Sequence, residues 1–195
     1  MTYKIIDKSF NDCVVFFQTR KIKNDNGFSQ ESWNDKVFRQ EIDNYPLVSD
    51  KVSVLNKNIF EGMYFQNPKD IHARILNCLY GKAFIFVMDI RQESIHYGKV
   101  QAYELNDSSL SVFIPEGFAY GIYTLDDYNI ISCKSSNSNV ENEYKISLLK
   151  TIYPYDIISG LNSNNKQFSI NCNIIRNAST NENDFLSLKE FYNEY

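Results

Sequence analysis

Several features that would place a protein in a particular class are scarce in this sequence. Its 195 residues include only seven glycines, four prolines and four cysteines. No apolar run approaches the roughly 20 residues that a membrane-spanning helix needs. The first ten residues, MTYKIIDKSF, lack the apolar core of a secretory signal. These absences predict a cytoplasmic protein without a membrane segment.

Positive charge and metal-binding side chains are scarce too. The formal net charge is −4 and the pI is about 5.2, and the absence of a basic stripe disfavours nucleic acid as a partner. The four cysteines show no C-x-x-C spacing, so we expect free thiols. Nitrogen ligands are few, because His72 and His96 are the only histidines. We therefore expect neither a metal ion nor a cofactor.

Short segments rich in β-branched and aromatic residues are abundant, and they predict strands. They are Val14–Gln18, Ile75–Leu79, Ala83–Asp89, Gln101–Leu105, Leu110–Ile114, Ile122–Leu125 and Ile130–Lys134. Their regular spacing predicts a closed double-sheet architecture, and the 14 tyrosines and 14 phenylalanines fit an interior filled by flat side chains. We expect an all-β protein with one domain over residues 1–195.

Helical patterns are few and short. Ser32–Ile42 has apolar residues at helical spacing, with Ser32 as the expected N-cap. Asn183–Tyr195 predicts a short amphipathic helical tail at the end of the chain. Polar stretches at Ser135–Asn142 and Asn162–Asn165 predict exposed loops.

Two motifs carry a resemblance to a known family. Phe113–Gly121 reads FIPEGFAYG, a strand followed by a tight turn and a second strand, and Val87–Arg91 reads VMDIR. Together they resemble the dTDP-4-dehydrorhamnose 3,5-epimerase family. The resemblance implies a cupin-type double-sheet jelly roll that acts on nucleotide-linked 4-keto-6-deoxy sugars in carbohydrate biosynthesis. It also implies a homodimer with exchanged N-terminal strands, for which Val14–Gln18 is the candidate segment.

At several positions the chain departs from the family's chemistry. Tyr64 stands where the family has its base histidine, and an unperturbed phenol, with a pKa of about 10, is a weak base at neutral pH. Asn26 and Glu61 replace arginines that contact the nucleotide's phosphates, and Glu61 brings negative charge to that place. By the same resemblance Glu31 and Gln66 keep the family's residues and are expected to bind substrate.

Other positions keep part of the family's machinery. Arg74 retains a cation where the family has the lysine that stabilises the enolate. His72 lies two residues earlier, on the same face of a strand, and is either a relocated base or an exposed histidine without a role. Asp89 matches a catalytic aspartate of the family, and if buried it needs an arginine or tyrosine partner.

Three further positions complete the comparison. Tyr120 stands at the family's second histidine and is expected to contact the sugar. Cys133 aligns with the tyrosine that donates a proton, or Ser132 does if the register shifts by one residue. Glu190, in Leu186–Glu190, aligns with the aspartate that pairs with the base, and by this resemblance both Glu190 and Glu61 are expected to lie at the substrate-binding site.

Three hypotheses follow. The first is an epimerase with a rebuilt acid/base pair: His72 or a perturbed Tyr64 as base, Cys133 as acid, and Arg74 stabilising the enolate. The second is a non-catalytic relative, a sugar-binding or partner-stabilising protein whose tyrosines stack on a sugar. The third is a barrel with a filled interior. The first requires Tyr64, Arg74, Asp89 and Tyr120 to surround one cavity.

Overall fold

In the computed structural model, described for residues 3–66, 72–137, 143–152, 157–178 and 186–194, strands dominate. The strands are β1 (Tyr3–Ser9), β2 (Val14–Thr19), β3 (Lys21–Asn24), β4 (Gly27–Gln30), β5 (Ser49–Asn56), β6 (Phe60–Gln66), β7 (Arg74–Tyr80), β8 (Ala83–Asp89), β9 (Val100–Leu105), β10 (Leu110–Ile114), β11 (Phe118–Thr124), β12 (Tyr128–Ser135), β13 (Glu143–Lys145), β14 (Ile157–Leu161) and β15 (Gln167–Asn171). The helices are α1 (Asp35–Glu41), α2 (Leu148–Ile152), α3 (Asn173–Arg176) and α4 (Leu188–Glu194).

Two sheets form the body of the protein. The first has the strand order β1-β2-β10-β7-β12-β5, and the second has the order β13-β6-β11-β8-β9-β14-β15. Neighbouring strands are antiparallel except β9 and β14, and β3 and β4 form a separate hairpin. The main core lies between the sheets and takes side chains from both. This architecture confirms the predicted all-β double-sheet jelly roll.

The second sheet is also covered on its outer side. Side chains of α2, α3 and α4 pack there against β6 and β8 in a second apolar cluster. As a result all seven residues of β11 are buried, which explains why its sequence has no alternation of polar and apolar residues. The first sheet is covered in part by α1, whose Phe38 packs on Phe113 with ring centroids 5.3 Å apart. β8 and β11 thus lie at the buried centre of the second sheet.

Two details differ from the sequence-based expectations. The first helix begins at Asp35 rather than near Ser32, because the side chain of Asn34 accepts the hydrogen bond from the Val37 amide and caps it. The predicted strand Ile122–Leu125 belongs to β11, which begins earlier, at Phe118, and ends at Thr124. The segment Val14–Gln18 lies in β2, which in this single chain pairs with β1 and β10, and its exchange between two chains stays a prediction.

The remaining predictions about helices and loops concern the chain's later part. Helix α4 lies inside the predicted tail Asn183–Tyr195, of which residues 183–185 fall outside the described ranges. Residues 138–142 of the predicted loop Ser135–Asn142 also fall outside them. Asn162–Asn165 forms the expected turn between β14 and β15. No helix in the described ranges is long and apolar enough to cross a membrane.

Candidate active site

A cavity of about 120 Å³ lies between the two sheets, at the end where β5 and β13 are the edge strands. Six residues singled out from the sequence line it: Glu61, Tyr64, His72, Arg74, Tyr120 and Cys133. They come from strands of both sheets and from the segment before β7. The hypothesis of an entirely filled interior is therefore wrong, although the cavity is smaller than the roughly 300–1,000 Å³ typical of ligand pockets.

A bulge in β6 turns both Glu61 and Tyr64 towards this cavity. Opposite β11, Tyr64 pairs with Tyr120 and Glu61 with Ile122, so β6 carries one extra residue. Without it, residues three positions apart would face opposite sides of the sheet. The bulge requires Gly62, whose φ is +131° and whose Cβ would lie 2.6 Å from the Cα of Gly121.

An ion pair crosses the cavity between β7 and β13. The Arg74 Nη2 atom lies 3.1 Å from the Glu143 Oε1 atom, and the arginine side chain is 6% exposed. The Tyr120 hydroxyl is 3.5 Å from the same carboxylate oxygen, and the Arg74 guanidinium lies 4.8 Å from the centre of the Tyr120 ring. The retained cation is thus held in the wall by a carboxylate and an aromatic face.

The two tyrosines of the wall are held in their neutral form. Burial raises the pKa of Tyr64 to about 12, and the charges of Glu61 and Glu143 add to this shift. Burial likewise raises the pKa of Tyr120 well above its ordinary value, with a smaller contribution from Cys133. The rings of Tyr64 and Tyr120 lie 5.6 Å apart. Both phenols are therefore protonated at neutral pH, the form that can donate a hydrogen bond.

Of the two candidates on β12, it is Cys133 whose side chain points into the cavity. Ser132 faces the other side of the sheet, where its hydroxyl donates to the Asp50 Oδ1 atom at 2.7 Å. Burial raises the pKa of the Cys133 thiol, and the positive charge of Arg74 offsets part of that increase. The thiol therefore carries its proton at neutral pH.

His72 and Arg74 also line a second cavity of about 290 Å³, on the side of α4. Gln66, which is 9% exposed, lies in its wall. His72 is only 5% exposed, so the alternative that it is a solvent-exposed histidine is wrong. Its position places the imidazole where the two cavities adjoin.

Asp89 is fully buried and belongs to a closed network at the end of β8. As expected, its partner is an arginine: Arg91 contacts it at 2.6 and 2.9 Å, and the Ser94 hydroxyl donates at 2.6 Å. Burial alone would raise the pKa of Asp89, but these hydrogen bonds outweigh it and lower the pKa. Asp89 lines neither of the two cavities, so the expectation that Tyr64, Arg74, Asp89 and Tyr120 surround one cavity is wrong for Asp89 and holds for the other three residues.

Glu31 and Glu190 also lie outside both cavity walls. Glu31 is exposed and accepts a hydrogen bond from the Asn34 side chain at 3.1 Å. Glu190 is exposed at the start of α4, where it accepts from the Ser187 amide while its own amide donates to the Ser187 hydroxyl. This reciprocal pair is a capping box. Substrate binding by Glu31 and Glu190 stays a prediction.

Sequence reasoning missed Glu143 and the three wall residues of β5, Ser49, Lys51 and Ser53. Glu143 follows directly on the Asn- and Ser-rich stretch that was interpreted as a loop, and it opens the three-residue strand β13. The available signal was the alternation of Tyr144 and Ile146 after it, which is typical of a strand. In the described ranges no three His, Cys, Asp or Glu side chains come together as a metal-binding group.

The fold and the cavity define a class of protein: a cupin-type jelly roll with a buried arginine and several proton-bearing side chains in a cavity between its sheets. The family model for dTDP-4-dehydrorhamnose 3,5-epimerase matches residues 8–173. The chain belongs to this family.

Individual relatives agree with this assignment. The dTDP-4-dehydrorhamnose 3,5-epimerase of Salmonella typhimurium is 30% identical over 135 residues, which cover 68% of this chain and 74% of that protein. The crystal structure of the enzyme of that name from Sulfolobus tokodaii has a TM-score of 0.75 at 18% identity and covers 97% of both chains. A Legionella pneumophila epimerase in complex with dTDP-4-keto-L-rhamnose has a TM-score of 0.71 at 24% identity, covering 75% of this chain and 79% of that one.

Proposed function

We propose that this protein binds a nucleotide-linked 4-keto-6-deoxy sugar and catalyses epimerisation next to the ketone. Family membership supports the reaction class, and the Legionella relative binds a substrate of this kind. The observation that carries the proposal is the cavity wall itself: Arg74 is buried between His72, Cys133 and two neutral phenols. A cation beside proton-bearing groups is what an enolate intermediate requires.

The proton chemistry distinguishes between the two bases that the sequence left open. Tyr64, with a pKa raised to about 12, is protonated at neutral pH, and this favours His72 as the base. His72 then removes the proton from the carbon next to the ketone, and Arg74 stabilises the enolate oxygen. The Cys133 thiol donates a proton to the opposite face of that carbon. To reset the site, His72 releases the proton that it gained to solvent, and the Cys133 thiolate takes one up from solvent.

A homodimer is part of the proposal. The hairpin of β3 and β4 exposes Ile22 and Phe28 to about half of their full surface, 57% and 54%, and a second copy of the chain would cover them. Glu31, next to this hairpin, lies outside its own chain's cavity and would contribute to the partner's. The dimer, the cytoplasmic location and the single domain over residues 1–195 stay predictions.

The test is solvent exchange. Incubated in D₂O with a dTDP-linked 4-keto-6-deoxy hexose, the protein is expected to introduce deuterium next to the ketone, measured by NMR. Replacement His72→Gln is expected to slow exchange by about 10²- to 10⁴-fold. The matched control is His96→Gln, because His96 is a histidine outside both cavities whose ring contacts Asn11.

Two outcomes would contradict the proposal. Unchanged exchange in His72→Gln would remove His72 as the base. Tight binding of the sugar nucleotide without any exchange in the wild-type protein would indicate the alternative, a non-catalytic sugar-binding relative.

A further inference from the structure

The mouth of the first cavity contains a lysine and a glutamate on opposite walls. Lys51 lies on β5 of the first sheet and Glu61 on β6 of the second. Neither side chain forms an ion pair with any residue in the described ranges, in contrast to Arg74. A charged group that lines a cavity without a protein partner is available to a charged ligand.

Strand register places Lys51 beside the reacting groups. Three residues of β5 line the cavity, Ser49, Lys51 and Ser53, because alternate residues of a strand share a face. In the ladder with β12, Lys51 is directly opposite Cys133, and Ser49 is opposite Ser135.

The same register sets the distance to the arginine. Ser135 is in turn opposite Arg74 on β7. Strands lie about 4.8 Å apart, so β5 is about 10 Å from the strand that carries Arg74. A hexose with the diphosphate on its first carbon bridges such a distance.

Hydroxyl groups complete a set of donors around Lys51. Within the described residues, the Ser53 hydroxyl forms no hydrogen bond, so it is available to a ligand. The Ser135 hydroxyl accepts from the Asn137 amide at 3.2 Å, which leaves its own proton for a ligand. An ammonium with two hydroxyl donors suits phosphate oxygens. On the opposite wall, the negative charge of Glu61 repels a phosphate towards β5.

We propose that the inward side of β5 is the subsite for the phosphate attached to the sugar, with Lys51 as the cation that binds it. This inference rests on the proposed function and adds a specificity residue to it. The chain has no positive charge at Asn26 and Glu61, and Lys51 on β5 supplies a cation for a phosphorylated ligand instead.

Binding measurements test the subsite without turnover. The probes are inorganic pyrophosphate and dTDP, titrated by calorimetry into the full chain. Lys51→Met is expected to weaken binding of both by about 10- to 100-fold, and Lys51→Arg to retain most of it. Glu61→Gln is expected to strengthen it a few-fold. The control is Lys57→Met, an exposed lysine paired with Asp127 at the turn after β5.

Two further binding measurements, one at rising salt concentration and one with an uncharged probe, separate the contribution of charge to binding from that of shape. The difference between wild type and Lys51→Met is expected to shrink as salt rises, because the lysine lies at an exposed mouth. Thymidine, which has no phosphate, is expected to bind both proteins equally. Equal affinity of wild type, Lys51→Met and Lys57→Met for dTDP would overturn the inference, and so would a wild-type protein that binds neither pyrophosphate nor dTDP.

The two proposals fail separately. A protein that binds dTDP through Lys51 but exchanges no deuterium contradicts the proposed function and supports this inference. If the Lys51→Met variant turns over the substrate as fast as the wild-type protein does, this inference is contradicted and the proposed function is not.

Discussion

Two arginine–carboxylate ion pairs in this protein differ in how they are built. Asp89 and Arg91 are two residues apart, and the buried carboxylate also accepts hydrogen bonds from Ser94 and from the Arg91 amide at 3.0 Å. Arg74 and Glu143 are 69 residues apart and join β7 to β13 through one contact of 3.1 Å. The Glu143 side chain stays 23% exposed at the cavity, whereas that of Asp89 is fully buried.

The difference indicates different roles. The first carboxylate has four fixed protein donors, and its arginine lies 4.5 Å from the ring centre of Phe118 and against Gly117, where an added Cβ would lie 2.6 Å from the Arg91 side chain. Such a network holds the loop between β8 and β9 against Gly117, in the turn between β10 and β11. The second pair faces the first cavity, where the other candidate site residues also lie. We infer that the first pair stabilises the fold and the second serves chemistry.

The largest expected effect is on stability. Asp89→Ala leaves Arg91 without its carboxylate, and we expect a loss of about 3 kcal/mol in the free energy of unfolding, measured by urea denaturation. The lowered pKa of Asp89 gives the sign of the pH dependence: its stabilisation is present above the ordinary carboxyl pKa and is lost as pH falls through the lowered value.

The Asn variant provides the control. Asp89→Asn keeps the shape of the side chain and loses its charge, so we expect an intermediate loss without the acid dependence. If Asp89→Ala unfolds at the same urea concentration as wild type, the structural role of this pair is wrong.

The next effect is on turnover. Arg74→Met removes the cation at the enolate, and we expect the exchange rate to fall by about 10²- to 10³-fold while the urea midpoint changes little. The matched variant is Arg91→Met, the arginine of the other pair, for which we expect the reverse: lower stability and smaller loss of exchange. If Arg74→Met and Arg91→Met lose exchange rate and stability in the same proportion, the assignment of one ion pair to chemistry and the other to the fold is wrong.

Sequence motifs predicted six of the fourteen described residues that line the first cavity. Tyr64, Arg74, Tyr120 and Cys133 were identified from short motifs whose strands pair with one another in the body of the two sheets, and β8 and β10 have the predicted bounds. Inside a strand, alternation fixes which residues share a face, so one correct motif places several side chains. The β6 bulge is the exception, and only the family motif indicated that Glu61 and Tyr64 act together.

Contacts between distant segments were not predictable in this way. Glu143 reaches Arg74 through pairing of β13 with the edge of β6, and a strand of three residues gives little periodicity to detect. The neighbours Lys51 and Cys133 depend on the β5–β12 register, which no turn between consecutive strands defines. Asp89 shows the opposite case: its motif and an arginine partner were expected from the sequence, but the Ser94 hydroxyl that completes its network was not.

The smallest effect concerns Glu143, which we interpret as a positioning residue for Arg74. Glu143→Gln keeps an oxygen that accepts a hydrogen bond from the arginine and removes the negative charge, so we expect the exchange rate to fall only about 10-fold.

The more informative measurement on Glu143→Gln is the pH profile of the exchange rate. Because the charge of Glu143 contributes to the raised pKa values of Tyr64 and Cys133, its removal lowers both, and the basic limb of the profile moves to lower pH. Glu93→Gln, at an exposed residue after β8, serves as control. An unchanged basic limb in Glu143→Gln would mean that Glu143 only fills the wall, and the contrast between the two ion pairs would then depend on Arg74 alone.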